Sequence, residues 1–170
     1  ELGCTDTHFN NPHGLPDNEH YTSAYDMALI SRAAIQNETF RTITGTKRYT
    51  IPFTNKHQDA ETPLVNHHKM LTNYQGETAF LYDYCIGGKT GYTDLARSTL
   101  VTYAEKDDMT LICVVMKEEG NNHYKETRKL LDYCFDNFRL WNVSDQMSNR
   151  LSVDGMDSQI AGTANTEIFG

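Results

Sequence analysis

Long apolar runs and basic segments are scarce in this 170-residue sequence, and their scarcity argues against several classes of protein. No apolar stretch approaches the roughly 20 residues that cross a bilayer, and no basic segment followed by an apolar one opens the chain. Lys and Arg number 15 against 23 Asp and Glu, so the formal charge is −8 and the sequence lacks the basic surface that nucleic acid requires. We expect no nucleic-acid partner, and membrane contact only through segments outside these residues.

Cysteine is sparse as well, and its placement argues against a metal framework. The four cysteines are Cys4, Cys85, Cys113 and Cys134. They form no C-x-x-C pair and mostly lie in or beside apolar stretches, which favours free thiols. Four histidines also invite a zinc interpretation, but His67 and His68 are adjacent and point apart in a strand, and His20 and His57 add no ligand spacing. We therefore expect neither a metal nor a cofactor.

The apolar residues that are present suffice for a packed core, since 38% of the chain is hydrophobic and 11% aromatic. Apolar residues at helical spacing predict a helix at 23–36, where Ser23 and Asp26 form a start that resembles a capping box. Alternation and apolar runs predict strands at 46–53, 86–92, 98–104 and 109–116. Pro52 makes the first an edge strand or ends it. The sum predicts an α+β or α/β fold with an antiparallel sheet packed by helices.

The end of the predicted fold is marked by a buried strand and an amphipathic helix. Residues 111–115 are apolar on both faces, which predicts a strand in the middle of a sheet that helices cover. Asn121 or Asn122 can cap a final helix. Its apolar stripe, expected to pack on the sheet, is Tyr124, Thr127, Leu131, Cys134 and Phe138. We assign 1–141 to one domain and 142–170, which has linker composition, to a tail.

The tripeptide K-T-G, formed by Lys89, Thr90 and Gly91, is the most informative motif. On an edge strand it is one of three motifs of penicillin-binding proteins and class A β-lactamases, the others being S-x-x-K and S-x-N. The Lys89 ammonium and the Thr90 hydroxyl can hold a carboxylate, and Gly91 leaves room for a substrate backbone along the strand. The backbone N–H of Tyr92 can then donate to a developing oxyanion. The simpler interpretation is a turn with a solvated lysine.

Several flanking segments favour the functional interpretation. They comprise N-P-H-G-L at 11–15, H-Y-T-S-A-Y-D-M-A-L-I at 20–30, Y-T-I-P at 49–52 with Asn55 and Lys56, L-V-N at 64–66, and L-L-D-Y at 130–133 with Phe135. In this order they resemble serine-type D-alanyl-D-alanine carboxypeptidases, the low-molecular-weight penicillin-binding proteins, over the C-terminal part of the catalytic domain. From about residue 142 onward the resemblance ends.

This resemblance implies a β-lactamase/transpeptidase-like fold and a peptidase of peptidoglycan metabolism. Its substrate would be a stem peptide ending in D-Ala-D-Ala, and β-lactam antibiotics would acylate it. It also implies work outside the cytoplasmic membrane, with an upstream signal peptide and a β-rich domain or membrane anchor beyond Gly170. The alternatives are a D,D-endopeptidase, a β-lactamase, or a catalytically dead wall-binding or scaffold fragment.

The sequence departs from the family pattern at the nucleophile. No serine has a lysine three positions later, and no S-x-N occurs. We therefore expect the acylating serine, its base and the second motif to lie upstream of Glu1. The 170-residue chain should be inactive alone, and its exposed apolar surface should favour self-association.

Three further residues border the motif or the family segments. The resemblance implies that His67, before the K-T-G strand, approaches the substrate carboxylate. His13 of N-P-H-G-L is either a structural loop residue or a catalytic base. Arg97 stands where many relatives have glycine, and there it either alters the cleft rim or is solvated.

Overall fold

The computed structural model describes residues 1–58 and 60–140 and contains three α-helices, five strands and one short 3-10 helix. The helices are α1 (Ala24–Ala34), α2 (Glu38–Gly45) and α3 (Asn122–Asn137), with the 3-10 helix at Tyr74–Gly76. The strands are β1 (Arg48–Ile51), β2 (Thr62–Val65), β3 (Cys85–Thr93), β4 (Arg97–Lys106) and β5 (Met109–Glu118). All pairings are antiparallel, in a β1-β2 ribbon and a β3-β4-β5 sheet. This confirms the predicted α+β class; the proposed tail at 142–170 lies outside the described residues.

Helix α1 begins where the sequence predicts. The Ser23 hydroxyl accepts a hydrogen bond from the backbone N–H of Asp26, which satisfies one of the free donors of the first turn. The carboxylate of Asp26 is buried and accepts from the backbone N–H of Asp6 at 2.7 Å and from the hydroxyl of Thr7 at 2.6 Å. Asp26 is thus more than a favourable charge at a helix start, because it ties the N-terminal segment to α1.

Three elements were not predicted from the sequence, namely α2, β2 and the 3-10 helix at Tyr74–Gly76. Helix α2 starts at Asn37, whose side chain accepts from the N–H of Phe40, and it spans only eight residues with none buried. Strand β2 lies in a stretch that is ambiguous by pattern, and it is recruited by pairing with β1. The predicted strand at 46–53 is confirmed as β1, which ends at Ile51, directly before Pro52.

The predicted place of the apolar strand is wrong for the described residues. Strand β5 lies at one edge of the three-stranded sheet, and β4 is central. Helices α1 and α3 both pack against β5. Its apolar residues are therefore covered by helices on a strand with one strand neighbour. An apolar sequence indicates that the side chains of a strand are buried. It does not show whether the strand lies in the middle of a sheet or at an edge that helices cover.

Helix α3 supplies the main apolar face that covers the sheet. Its described core residues include Tyr124 and Leu131, which join Leu100, Cys113 and Val115 in one cluster. The predicted stripe is confirmed through Cys134, which is partly buried, whereas Phe138 lies past the end of the helix and is exposed. All four thiols of the chain are free. Among the helices of the described part of the chain, none is long and apolar enough to cross a bilayer.

Two histidines are buried in the described residues, His68 and His123, and His68 is the more deeply buried. His68 is only 1% exposed, and its Nε2 lies 3.0 Å from the Thr102 hydroxyl and 3.3 Å from the carbonyl oxygen of Val101. Burial lowers the pKa of His68 to about 4, although the bond with Val101 opposes the shift. The nearby charges of His123 and Lys89 lower it further. The imidazole is therefore neutral in the folded protein at neutral pH.

Folding stability should fall as this imidazole is forced to take a proton. Because the pKa of His68 is about 4 when folded and 6.5 in a model peptide, the unfolded chain binds more protons between these values. Stability from the neutral imidazole is complete above pH 6.5 and should decrease by about 3 kcal/mol as the pH falls to 4. Urea unfolding of the wild type and of His68→Gln at pH 4 to 7 measures this decrease in the free energy of unfolding.

The exposed His57→Gln provides the matched control, because it also removes one histidine. We expect this variant to keep the pH dependence of the wild type, whereas His68→Gln flattens it by about 3 kcal/mol. Parallel curves for all three proteins would show that His68 is not responsible.

The turn between β4 and β5 places two aspartates in the left-handed region. Asp107 has φ 50° and Asp108 has φ 64°, and Lys106 pairs with Met109 across them. This is the geometry of a two-residue type I′ hairpin.

Replacing Asp108 by glycine should stabilise this hairpin. Asp-Gly is the preferred pair for a type I′ turn, so Asp108→Gly should raise the free energy of unfolding by about 0.5–1 kcal/mol. Asp83→Gly serves as control, since Asp83 is exposed in a loop and is not among the residues with positive φ. Equal effects of both substitutions in urea unfolding would contradict the turn assignment.

Candidate functional site

The K-T-G tripeptide lies in the middle of β3, on an edge of the sheet. Lys89 pairs with Val101 and Thr90 with Leu100 of β4. Because β3 pairs only with β4 among the described strands, every second residue directs its N–H and C=O away from the sheet. Lys89 and Gly91 are exposed and Thr90 is partly exposed. The strand therefore presents an ammonium, a hydroxyl and backbone groups along one open edge, and the Lys89 ammonium donates to the carbonyl oxygen of Thr90.

The glycine of the motif also has a local structural reason. A Cβ at Gly91 would lie 2.6 Å from the hydroxyl oxygen of Thr99, its cross-strand partner. Any side chain at this position would displace Thr99, which lines the neighbouring cleft. Gly91 thus leaves room for the Thr99 side chain on the paired strand. Tyr92 follows and is 64% exposed, beside the same cleft.

An open cleft of about 1260 Å³ lies beside this strand. One wall is the N-terminal segment, and the others come from β3, β4, β5 and the start of α3. It brings together Lys89, Thr90, Gly91, Tyr92, His67 and His13. Sequence analysis singled out these six residues, and the structure places all of them around one space. The cleft is also lined by Thr99, Met116 and His123, which were not predicted because the sequence contains no signal for them.

The two adjacent histidines occupy opposite environments. His67 is exposed in the cleft, and its ring lies 4.3 Å from the ring of Tyr74. His68 is buried behind the strand, as described above. Asn66, which precedes His67, anchors the loop at its other end. The side-chain amide of Asn66 donates to the carbonyl oxygens of Thr44 and Thr46. His67 is consequently held at the cleft by anchors on both sides.

The N-P-H-G-L segment folds into a turn closed by its own side chains. The carboxamide oxygen of Asn11 accepts from the N–H of Gly14 at 2.8 Å, and Gly14 has φ 76°. The His13 ring nitrogen Nδ1 accepts from the N–H of Leu15 at 3.2 Å. His13 is thus hydrogen-bonded within its own loop. This agrees with the interpretation of His13 as a structural loop residue.

The carboxylate of Asp26 ties the start of the N-terminal segment, at Asp6 and Thr7, to α1. Its pKa lies below the ordinary value, chiefly because of the hydrogen bond from Thr7, while burial acts in the opposite direction. Further along the N-terminal segment, His8 and Tyr21 form an isolated antiparallel bridge, which joins the two ends of the loop between them. Tyr21 lines the cleft, so the anchoring of the segment at Asp26 contributes to the position of this wall.

Arg97 does not lie on the cleft wall. It has φ 55°, and its guanidinium lies 3.4 Å from the carboxylate of Glu119, with both side chains exposed. Its left-handed conformation is one that glycine adopts without cost, which accounts for the glycine common in the resembling pattern. This arginine is a surface residue paired with Glu119.

The arrangement suits recognition of a carboxylate on an extended peptide. An ammonium and a hydroxyl on an open strand edge can bind an anionic terminus, while the backbone groups pair with a peptide strand. Within residues 1–58 and 60–140, no group of three His, Cys, Asp or Glu side chains could hold a metal ion.

The chain is similar to known proteins of one family. A family model described as D-alanyl-D-alanine carboxypeptidase matches residues 1–120. The chain is 32% identical over 139 residues to the D-alanyl-D-alanine carboxypeptidase DacF of Bacillus subtilis, covering 81% of this chain and 33% of DacF. It is 34% identical over 140 residues to DacB2 of Mycobacterium tuberculosis, which has the same description, covering 79% of this chain and 44% of DacB2.

Solved structures show the same relationship. A crystal structure of D-alanyl-D-alanine carboxypeptidase from Mycobacterium tuberculosis aligns with a TM-score of 0.65 and 31% identity, covering 79% of this chain and 49% of that one. A Streptomyces DD-transpeptidase aligns with a TM-score of 0.68 and 27% identity, covering 79% and 50%. The chain spans about a third to a half of the length of these relatives. On the match of residues 1–120, the chain belongs to the D-alanyl-D-alanine carboxypeptidase family.

Proposed function

We propose that this chain is the substrate-carboxylate half of a serine-type D-Ala-D-Ala carboxypeptidase of peptidoglycan metabolism. The observation that carries the proposal is the exposed K-T-G on the open edge of β3, beside a cleft that His67 also lines. Lys89 and Thr90 bind the C-terminal carboxylate of the stem peptide, with His67 as a further contact. Gly91 lets the peptide lie along the strand, and the backbone N–H of Tyr92 is one oxyanion donor.

The proposed reaction proceeds through an acyl-enzyme. A serine hydroxyl attacks the carbonyl of the penultimate D-Ala, its proton passes by way of a lysine base to the leaving amine, and the C–N bond breaks. Terminal D-Ala leaves, and water then hydrolyses the ester. We place the serine, the lysine and the S-x-N motif outside these 170 residues, because the sequence contains neither S-x-x-K nor S-x-N.

The proposal extends to partners and location. β-Lactams carry a carboxylate and an acylating carbonyl, so we propose that they react at the same site. We also propose that the protein works on the cell-wall side of the membrane, with membrane attachment through other segments. Self-association of the isolated 170-residue chain stays a prediction.

Loss of the Lys89 ammonium tests the proposed function. In the full-length gene product, Lys89→Ala should lower both D-Ala release and acylation by fluorescent penicillin about 10- to 100-fold, the value of a charge-assisted hydrogen bond. Lys89→Arg should lower these two rates less than Lys89→Ala does, because a guanidinium keeps the charge but changes the shape of the cation.

Lys129→Ala is the control for Lys89→Ala, because Lys129 is an exposed lysine of α3 paired with Glu126. It should keep wild-type rates. Unchanged acylation in Lys89→Ala would refute the assignment of K-T-G. Absence of D-Ala release from the wild-type gene product, with its fold intact, would instead favour the scaffold alternative.

The 170-residue chain alone should form no adduct with benzylpenicillin. Acylation requires a nucleophile and oxyanion donors held about 3 Å from one carbonyl, and we place the nucleophile elsewhere. Intact-mass spectrometry should show the unmodified mass, while the full-length product gains one penicilloyl group. A stoichiometric adduct on any serine of the 170 residues would overturn this placement.

A further inference from the structure

His68 is a buried polar residue to which the proposed reaction assigns no role. Its Nε2 lies between two acceptors of β4, the Val101 carbonyl oxygen at 3.3 Å and the Thr102 hydroxyl at 3.0 Å. Thr102 pairs with Gly88 and Val101 pairs with Lys89 across the sheet. The imidazole therefore contacts the two residues of β4 that back the start of the K-T-G motif.

The surrounding hydrogen bonds define the tautomer of this imidazole. The Val101 carbonyl can only accept, and the Thr102 hydroxyl, which lies 3.9 Å from the sulfur of Met70, can accept from Nε2 as well. Nε2 must then carry the proton and donate to both oxygens, which leaves Nδ1 unprotonated. Nδ1 is buried without a partner in the described residues, so it adds no competing contact.

Gly88 makes this approach possible. Its φ is 152°, and a Cβ there would lie 2.7 Å from Nε2 of His68 and 2.2 Å from the Val101 carbonyl oxygen. Any side chain at this position would separate His68 from β4. The residue directly before Lys89 is thus shaped to receive the imidazole.

The other side of the loop is anchored independently. The backbone N–H of His68 donates to the side chain of Asn66 at 3.0 Å, and Asn66 in turn binds the end of α2. His67 lies between these two anchored residues and faces the cleft. The distance between the His67 ring and the Lys89 ammonium therefore depends on the seating of His68.

We propose that His68 is a positioning residue of the carboxylate site, which sets the geometry of His67 relative to Lys89 by clamping the loop of His67 to Val101 and Thr102, the β4 residues that pair with Lys89 and Gly88. This inference rests on the proposed function. It predicts that His68 matters for recognition of the carboxylate more than for acylation in general.

The test compares two acylating agents on the full-length gene product. Benzylpenicillin carries the carboxylate, and its methyl ester does not, so the ratio of their acylation rates measures carboxylate recognition alone. His68→Leu keeps bulk without a donor and should lower this ratio about 10-fold, as loss of one positioning hydrogen bond. His68→Gln carries an amide N–H near the place of Nε2 and should stay within about 2-fold of the wild type.

The outcomes separate this inference from the proposed function. If Lys89→Ala leaves the ratio unchanged, the carboxylate site itself is wrong. If Lys89→Ala abolishes the preference while folded His68→Leu lowers both rates equally, His68 is merely structural and the inference fails. Should His68→Leu not fold, Thr102→Val against Thr102→Ser provides the same comparison, because only the serine keeps the hydroxyl acceptor. A lowered ratio in Thr102→Val alone supports the clamp, and equal ratios overturn it.

Discussion

Helix α2, strand β4 and the imidazole of His68 all approach the backbone of β3 at two consecutive glycines, and this close approach constrains the rest of the molecule. A Cβ at Gly87 would lie 3.1 Å from backbone atoms of α2, and one at Gly88 would lie 2.2 Å from the Val101 carbonyl oxygen. Side chains here would push α2 and the loop of His68 outward. Since α2 leads directly into β1, the ribbon and the cleft wall at His67 would move with them.

The two long edges of β3 consequently have different tasks. One edge is paired with β4, which His68 contacts from the loop, and the other has no strand partner among the described residues and borders the cleft. An open edge normally invites unwanted pairing with other chains. A site that binds an extended peptide needs such an edge, so the exposure that is a liability elsewhere is the condition for recognition here. Exposed Lys89 also makes the edge less attractive to an apolar strand.

Local patterns predicted the parts of the fold whose cause is local. Ser23 and Asp26 mark the start of α1, and alternation marks β3 and β4, because capping and side-chain period act over a few residues. Helix α2 is short and buries no residue, so its sequence carries little periodic signal. The apolar residues of β5 indicated burial, but helices supply the cover and the strand is at an edge of the described sheet. Its neighbours are set by distant segments, which no local pattern contains.

The candidate site shows the same division in two adjacent residues. K-T-G was recognisable because its chemistry lies in consecutive positions, whereas His67 and His68 lie in the loop after β2, one exposed and one buried. Which of them is buried was not predictable from their own sequence, since both are the same residue type. The choice depends on Gly88, which has no side chain to block the ring, and on Thr102 and Val101, which supply its acceptors. These partners are 20 or more positions away, so identical neighbours acquire different roles only through the tertiary fold.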